Sequence, residues 1–261
     1  MKPDTRIIPT AEPFFFPGRP GQPACLLIHG FTGAPKEMRW MGEYLSQQGY
    51  PSLGVRLFGH ATRPEDMIRS RYTDWMASVE DGYHLLRGVT DRIYLVGLSM
   101  GGILSLLMAT KLDVAGVVAM STPYRLPYDY PAWTIRMMSK FFPYQPKSTE
   151  EPGVSWFDKE AYAEHISYPQ NPVRSAAELQ LLIKEMHAAL PKVSVPVLLI
   201  HSKNDTYVLP KNVEHIYADL GASDKTKLYI TEAGHVVTRD ADRNQVFEAA
   251  SEFIRRIEAA A

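Results

Sequence analysis

LVGLSMGG, residues 95–102, ends an apolar run on a serine that stands between two glycines, in the spacing Gly97-x-Ser99-x-Gly101. The spacing alone is weak, because ordinary Gly and Ser frequencies supply it about 0.1 times in a chain of this length. Its surroundings decide its meaning. RIYLVG, residues 92–97, is a continuous apolar run of strand length, and GILSLLMATKL after the serine reads as an apolar helix. A turn this sharp forces its central residue into strained backbone angles and brings the residues two before and two after it almost into contact. Glycine at 97 and 101 removes the side chains that would collide. The strain holds the hydroxyl out at the sheet edge, and the following helix directs its partial positive amino end to the same spot. Strand, turn and helix together make a nucleophile elbow rather than a serine that only caps a helix.

Similar runs recur along the chain. CLLIHG (25–30), PSLGV (51–55), VAGVVAM (114–120), VPVLLIHS (195–202) and KLYIT (227–231) are near-continuous apolar segments, as expected of strands covered on both faces. Between them, helical periods run near 35–48, 72–88, 101–111, 211–220 and 242–258. The alternation predicts an α/β fold: a doubly wound, mainly parallel sheet with helices on both sides. One stretch breaks the rhythm. From Pro123 to Pro196 the chain spends ten of its twenty prolines, together with Tyr124, Tyr128, Tyr130, Trp133, Met137, Met138, Phe141, Phe142 and Trp156. That is too long for a plain loop and too rich in proline and aromatics for a β-α unit. Residues 123–190 are therefore read as an inserted helical cap, and 1–122 with 191–261 as the core. Trp133, Met137, Met138 and Phe141 are the candidate lining of a substrate pocket. The end of the insertion, SAAELQLLIKEMHAAL (175–190), carries Leu179, Leu182, Ile183, Met186 and Leu190 on one face and predicts a helix packed on the core.

At 261 residues the chain can bury roughly 70–75% of its unfolded surface without staples. Lys and Arg number 28 against 29 Asp and Glu, with no run of like charge, which argues against a nucleic-acid partner. The single cysteine, Cys25, lies in an apolar run, so neither a disulfide framework nor a zinc spacing exists and no metal is expected. The proline-broken amino terminus lacks the apolar core of a secretory signal, and nothing approaches the roughly 18 apolar residues of a membrane span. A soluble, cytoplasmic protein is the expectation.

A serine hydroxyl is a weak nucleophile at neutral pH and needs a base from the same sheet edge. His235, in KLYITEAGHVVTRD, leaves a late strand through a short glycine-containing loop and is the choice among eight histidines. His84, His187 and His215 fall within predicted helices, and His165 lies in the insertion. His201 ends a strand and is the serious rival, but it sits almost beside the candidate acid, Asp205, on the loop leaving the same strand. Asp205 is preferred over Asp240, which is read as the start of the last helix. A carboxylate at that point fixes the histidine tautomer and stabilises the imidazolium. The oxyanion donors are the backbone amides of Met100, next to the serine, and of Phe31, in the turn after LLIHG. His29 is read as shaping that loop.

PFFF near the start, LLIHGFTG, GLSMGG, VPVLLIHSKNDTYVLP and GHVVTRD together resemble the small bacterial carboxylesterases and monoacylglycerol lipases of the α/β-hydrolase superfamily, nearly end to end. The resemblance implies a serine hydrolase without metal or organic cofactor. Its substrates would be carboxylic esters of short to medium acyl chain or monoacylglycerols, with the cap forming the acyl pocket. The proline- and aromatic-rich insertion is longer than the family pattern. The same three residues would also support thioester or carbon–carbon hydrolysis, or a ligand-binding protein on the same fold.

Overall fold

The computed structural model describes residues 7–127, 130–147 and 155–260. A short first strand, β1 (Phe14–Phe16), is followed by β2 (Ala24–Ile28), helix α1 (Lys36–Gln47) and β3 (Ser52–Val55). Next come α2 (Pro64–Arg69), α3 (Tyr72–Arg87), β4 (Ile93–Leu98), α4 (Met100–Met108) and β5 (Gly116–Met120). The stretch up to residue 190 carries α5 (Ala132–Met138), β6 (Tyr144–Pro146), α6 (Lys159–Ala163), β7 (Gln170–Pro172) and α7 (Val173–Ala189). The chain closes with β8 (Val197–Ser202), α8 (Lys211–Asp219), β9 (Lys225–Ile230) and α9 (Arg243–Ala260).

The main sheet has the order β1-β3-β2-β4-β5-β8-β9, parallel throughout except for β1, which pairs antiparallel with β3. Its centre is apolar on both faces, and the alternation along each strand assigns the sides. In β2, Leu26 and Ile28 join one buried cluster with Trp75 of α3 and Ile103 of α4, while Cys25 and Leu27 join another with Met41 of α1 and Phe253 of α9. Each fully buried Leu or Ile stabilises the fold by about 1.5–3 kcal/mol, so neither layer can be peeled away cheaply. Burial also pushes the Cys25 thiol pKa up, which keeps it protonated and inert. Helix α4 is buried all round, because it is sandwiched between the sheet and α7. No helix among the described residues is long and apolar enough to cross a membrane.

The six predicted strands form where the apolar runs lie, while several local features depart from expectation, among them the short helix α2, which no predicted period covers. β1 adds a strand ahead of them, so the 123–190 stretch follows the fourth of the predicted strands and the fifth strand of the chain. Within that stretch only α7 has a helical period long enough to read; α5, α6 and the antiparallel strand pair β6–β7 are each seven residues or fewer per element. Tyr128 lies outside the described residues. The last helix begins at Arg243, so Asp240 does not open it.

Candidate active site

Ser99 joins β4 to α4 with φ 54° and ψ −115°, a left-handed conformation that costs a non-glycine residue about 1–3 kcal/mol and needs external support. Support comes from both sides. Its amide donates to the Met120 carbonyl of β5 at 2.7 Å, and its carbonyl accepts from the Gly102 amide at 2.9 Å. A Cβ on Gly97 would stand 2.1 Å from the Gly101 carbonyl oxygen, and one on Gly101 would stand 2.0 Å from that of Ile28. The elbow therefore closes only with hydrogen at both positions.

His235 and Asp205 arrive from the far end of the sequence. β8 delivers Asp205 on its carboxyl loop, and the loop after β9 delivers His235. His235 Nδ1 lies 2.8 Å from Asp205 Oδ2 and its Nε2 lies 3.0 Å from Ser99 Oγ. With the Nδ1 proton donated to the carboxylate, Nε2 is left to accept from the serine hydroxyl. Asp205 is itself held by the amides of Tyr207 (3.0 Å) and Val208 (2.8 Å) on Oδ1. Burial acts to lower the His235 pKa, but the Asp205 charge and hydrogen bond, helped by Glu37, outweigh it and hold the imidazole above its ordinary value. For Asp205 burial acts upward, and the two facing histidines overcome it, keeping the carboxyl far below the usual range.

The remaining candidates fall into place around this chain of contacts. His201 Nε2 lies 2.7 Å from the Val208 carbonyl and 3.4 Å from Asp205 Oδ2, so the rival histidine braces the acid's loop and does not contact Ser99. His29 accepts the Leu57 amide on Nε2 at 3.2 Å and places Nδ1 2.9 Å from the Gly30 carbonyl; both ring nitrogens are used in shaping the loop. Asp240 is fully buried and accepts the amides of Gly234, Phe157 and Asp158, tying the 155–158 segment to the His235 loop. The Met100 amide opens α4, where first-turn N–H groups lack intrahelical acceptors. A Cβ on Gly30 would lie 3.5 Å from Ser99 Cβ, which puts the adjoining Phe31 directly beside the serine.

A cavity of about 690 Å³ opens above Ser99 and His235. Phe31, Leu126, Trp156, Tyr168, Leu179 and Val208 supply much of its apolar wall, and Glu37, Lys147 and His165 its polar side. Trp133, Met137, Met138 and Phe141 are not among its lining residues. They are 66%, 52%, 46% and 76% exposed. On α5, Ala132, Thr134 and Ile135 are the half-buried positions, and α7 is the helix against which α5 packs. Arg136 reaches across to the buried Glu178 of α7 at 2.7 Å. Trp133 and Met137, one turn apart on the opposite side, are thereby turned outward. His165, Lys147 and Leu126 line the cavity without any sequence pattern that marks them for it. Glu37, also in the wall, carries the one usable signal, a carboxylate in the first turn of α1, seven residues after Gly30. Among the described residues no group of three or more His, Cys, Asp or Glu side chains is arranged to hold a metal ion.

A strained serine at a strand–helix elbow, backed by imidazole and carboxylate on later loops of the same sheet edge, defines an α/β-hydrolase of the serine type. The chain belongs to the Hydrolase_4 family, described as serine aminopeptidase, S33, whose model matches residues 20–242. It is 32% identical to the thermostable monoacylglycerol lipase of Bacillus sp. (strain H-257), over 96% of each chain. Against the carboxylesterase of Bacillus subtilis (strain 168) the identity is 28%, covering 95% of this chain and 98% of that one. Among solved structures, one from work on LipS and LipT, two metagenome-derived lipolytic enzymes, superposes with a TM-score of 0.87 at 29% identity, covering 96% and 99% of the two chains. A soluble variant of monoglyceride lipase from Saccharomyces cerevisiae shares the fold at a TM-score of 0.77 and 21% identity, covering 94% of this chain and 91% of that one.

Proposed function

We propose that this serine hydrolase cleaves carboxylic esters of short to medium acyl chain, or monoacylglycerols, through an acyl-enzyme on Ser99. The observation that carries the reading is the continuous contact from Asp205 through His235 to Ser99 Oγ. Ser99 Oγ adds to the ester carbonyl while His235 Nε2 takes its proton, and Asp205 stabilises the imidazolium that forms. The amides of Phe31 and Met100 bind the oxyanion. Collapse of the tetrahedral adduct breaks the bond to the alcohol, which leaves with the proton from Nε2. Water then adds to the acyl-serine, giving a proton to Nε2, and collapse of the second adduct releases the acid as Nε2 passes that proton to Ser99 Oγ.

Residues 123–190 act as the cap of this site in the same reading. Leu126, Trp156, Tyr168 and Leu179, all from that stretch, line the cavity and supply the apolar wall an acyl chain needs. Each methylene buried there contributes about 0.8 kcal/mol, so the rate profile from two to about sixteen carbons reports the pocket's depth. The deciding experiment is hydrolysis of a chromogenic acyl ester by wild type, Ser99→Ala and His235→Ala. Each substitution is expected to lower turnover by about 10⁴ or more. A folded Ser99→Ala protein with wild-type turnover refutes the assignment.

A further inference from the structure

Glu37 is a buried carboxylate in the wall of the reaction cavity to which the steps above give no task. It stands in the first turn of α1, directly after the loop that carries Phe31. Its Oε2 accepts the Gly30 amide at 2.9 Å. The loop bends around the carboxyl group so closely that a Cβ on Gly33 would fall 2.2 Å from Oε1 and 2.4 Å from both Cδ and Oε2. The side chain thus fills the inside of the turn from Gly30 to Gly33. That turn is not relaxed by itself: Thr32 has φ 60°, and the Gly33 amide reaches the Gly30 carbonyl only at 3.3 Å. The Glu37 carbonyl, meanwhile, accepts the Thr238 hydroxyl at 2.7 Å, three residues beyond His235. One residue therefore ties the oxyanion loop to the loop of the general base.

We propose that Glu37 is a positioning residue, whose carboxyl oxygen, bonded to the Gly30 amide, aims the next amide, that of Phe31, at the oxyanion. It does not touch the reacting atoms in this role; it works through Phe31. The geometry asks for an acceptor oxygen on a side chain of this length, and a full negative charge beside a developing oxyanion would oppose the reaction. Its surroundings temper that charge. Burial pushes the Glu37 carboxyl up to about 7, against the downward pull of the Gly30 hydrogen bond and of Lys147, His235 and Arg239. His165 Nε2 lies 3.8 Å from Oε1.

The inference rests on the proposed ester hydrolysis, and a Ser99→Ala control separates the two. If Ser99→Ala hydrolyses p-nitrophenyl butyrate like wild type, the catalytic reading fails whatever Glu37 does. Otherwise Glu37→Ala and Glu37→Gln are compared with wild type in kcat, KM, thermal melting and inhibition by an alkyl trifluoromethyl ketone, which forms an oxyanion on the serine. Glu37→Ala should lower kcat by about 10–100-fold with KM within about threefold, short of the 10²–10³ that follows outright loss of a donor. Ketone affinity should fall by the same factor. Glu37→Gln keeps an acceptor oxygen for Gly30 and should hold kcat and ketone affinity within about threefold of wild type. Unchanged kcat and ketone affinity in a folded Glu37→Ala protein overturn the proposal, as does a loss confined to KM. Should Glu37→Ala fail to fold, Glu37→Gln decides alone: near-wild-type values support the acceptor role, and a loss beyond about tenfold overturns it.

Discussion

Gly101→Ala puts the elbow under a measurable load. The added Cβ would sit 2.0 Å from the Ile28 carbonyl oxygen, 2.7 Å from its carbon and 2.9 Å from the His29 oxygen, and all three are backbone atoms. Separations below 3.0 Å are essentially never found, so the gap must open by 3.0 − 2.0 = 1.0 Å at least. Ile28 cannot yield, because β2 is hydrogen-bonded on both sides, to β3 and β4. The start of α4 must move instead and take Ser99 with it. The Ser99 Oγ to His235 Nε2 distance, 3.0 Å in the wild type, would leave hydrogen-bonding range. A displacement of this size costs about 10²-fold in kcat/KM, and overpacking of this kind about 1–3 kcal/mol of stability. Urea unfolding and initial rates on a short acyl ester measure both. Gly88→Ala is the matched control, since Gly88 has ordinary helical φ (−73°) and its nearest atom to a new Cβ is 3.3 Å away. Wild-type stability and turnover in Gly101→Ala would show that the close approach is not what shapes the elbow.

Three further outcomes follow from the geometry. Ser99→Gly removes the hydroxyl and relieves the left-handed strain together, so it should be inactive yet more stable than Ser99→Ala by about 1 kcal/mol after the entropy cost of glycine; equal urea midpoints would dispose of the strain. On the acid side, turnover is lost as pH falls and His235 binds a proton. Because Asp205 and Glu37 raise its pKa against burial and Lys147, the midpoint of kcat/KM should lie above 6.5, and Asp205→Asn should move it lower; a pH–rate series reads both. Trp133→Ser and Phe141→Ser should change kcat/KM by less than about twofold at every acyl length and stability by no more than about 0.5 kcal/mol. Leu179→Ala, which enlarges the cavity, should shift preference to longer chains, and an unshifted profile would remove Leu179 from the acyl pocket.

The parallel core was legible because its strands are covered on both faces: IYLVGL and VLLIHS need no alternation to announce a buried strand. The three residues that the structure joins in one hydrogen-bonded chain were legible for a related reason. Each follows its own strand, and a parallel sheet delivers all such loops to one edge. β1 escaped notice because three residues carry no periodicity. The pocket failed for a different reason. Trp133 and Met137 share a helical face, but whether that face turns inward depends on Glu178 drawing Arg136 to α7, a contact between residues 42 positions apart. Glu37 looked like an ordinary acidic residue in a first helical turn, since only the folded loop shows the Gly30 amide pointing at it. Asp240 was misplaced because an aspartate near a helix start is normally its cap, whereas here buried amides of a distant segment claim it.

The contacts joining Ser99 to His235 span 136 residues, and those joining Glu37 to Thr238 span 201. Contacts of such separation form late, after shorter loops have closed. An early intermediate with β2, β4 and the elbow already assembled would carry its alcohol but no partner to deprotonate it. Regain of hydrolysis during refolding is thus a clock for the arrival of the carboxyl-terminal strands. Such a half-built molecule would stay chemically silent until the loop bearing His235 docks.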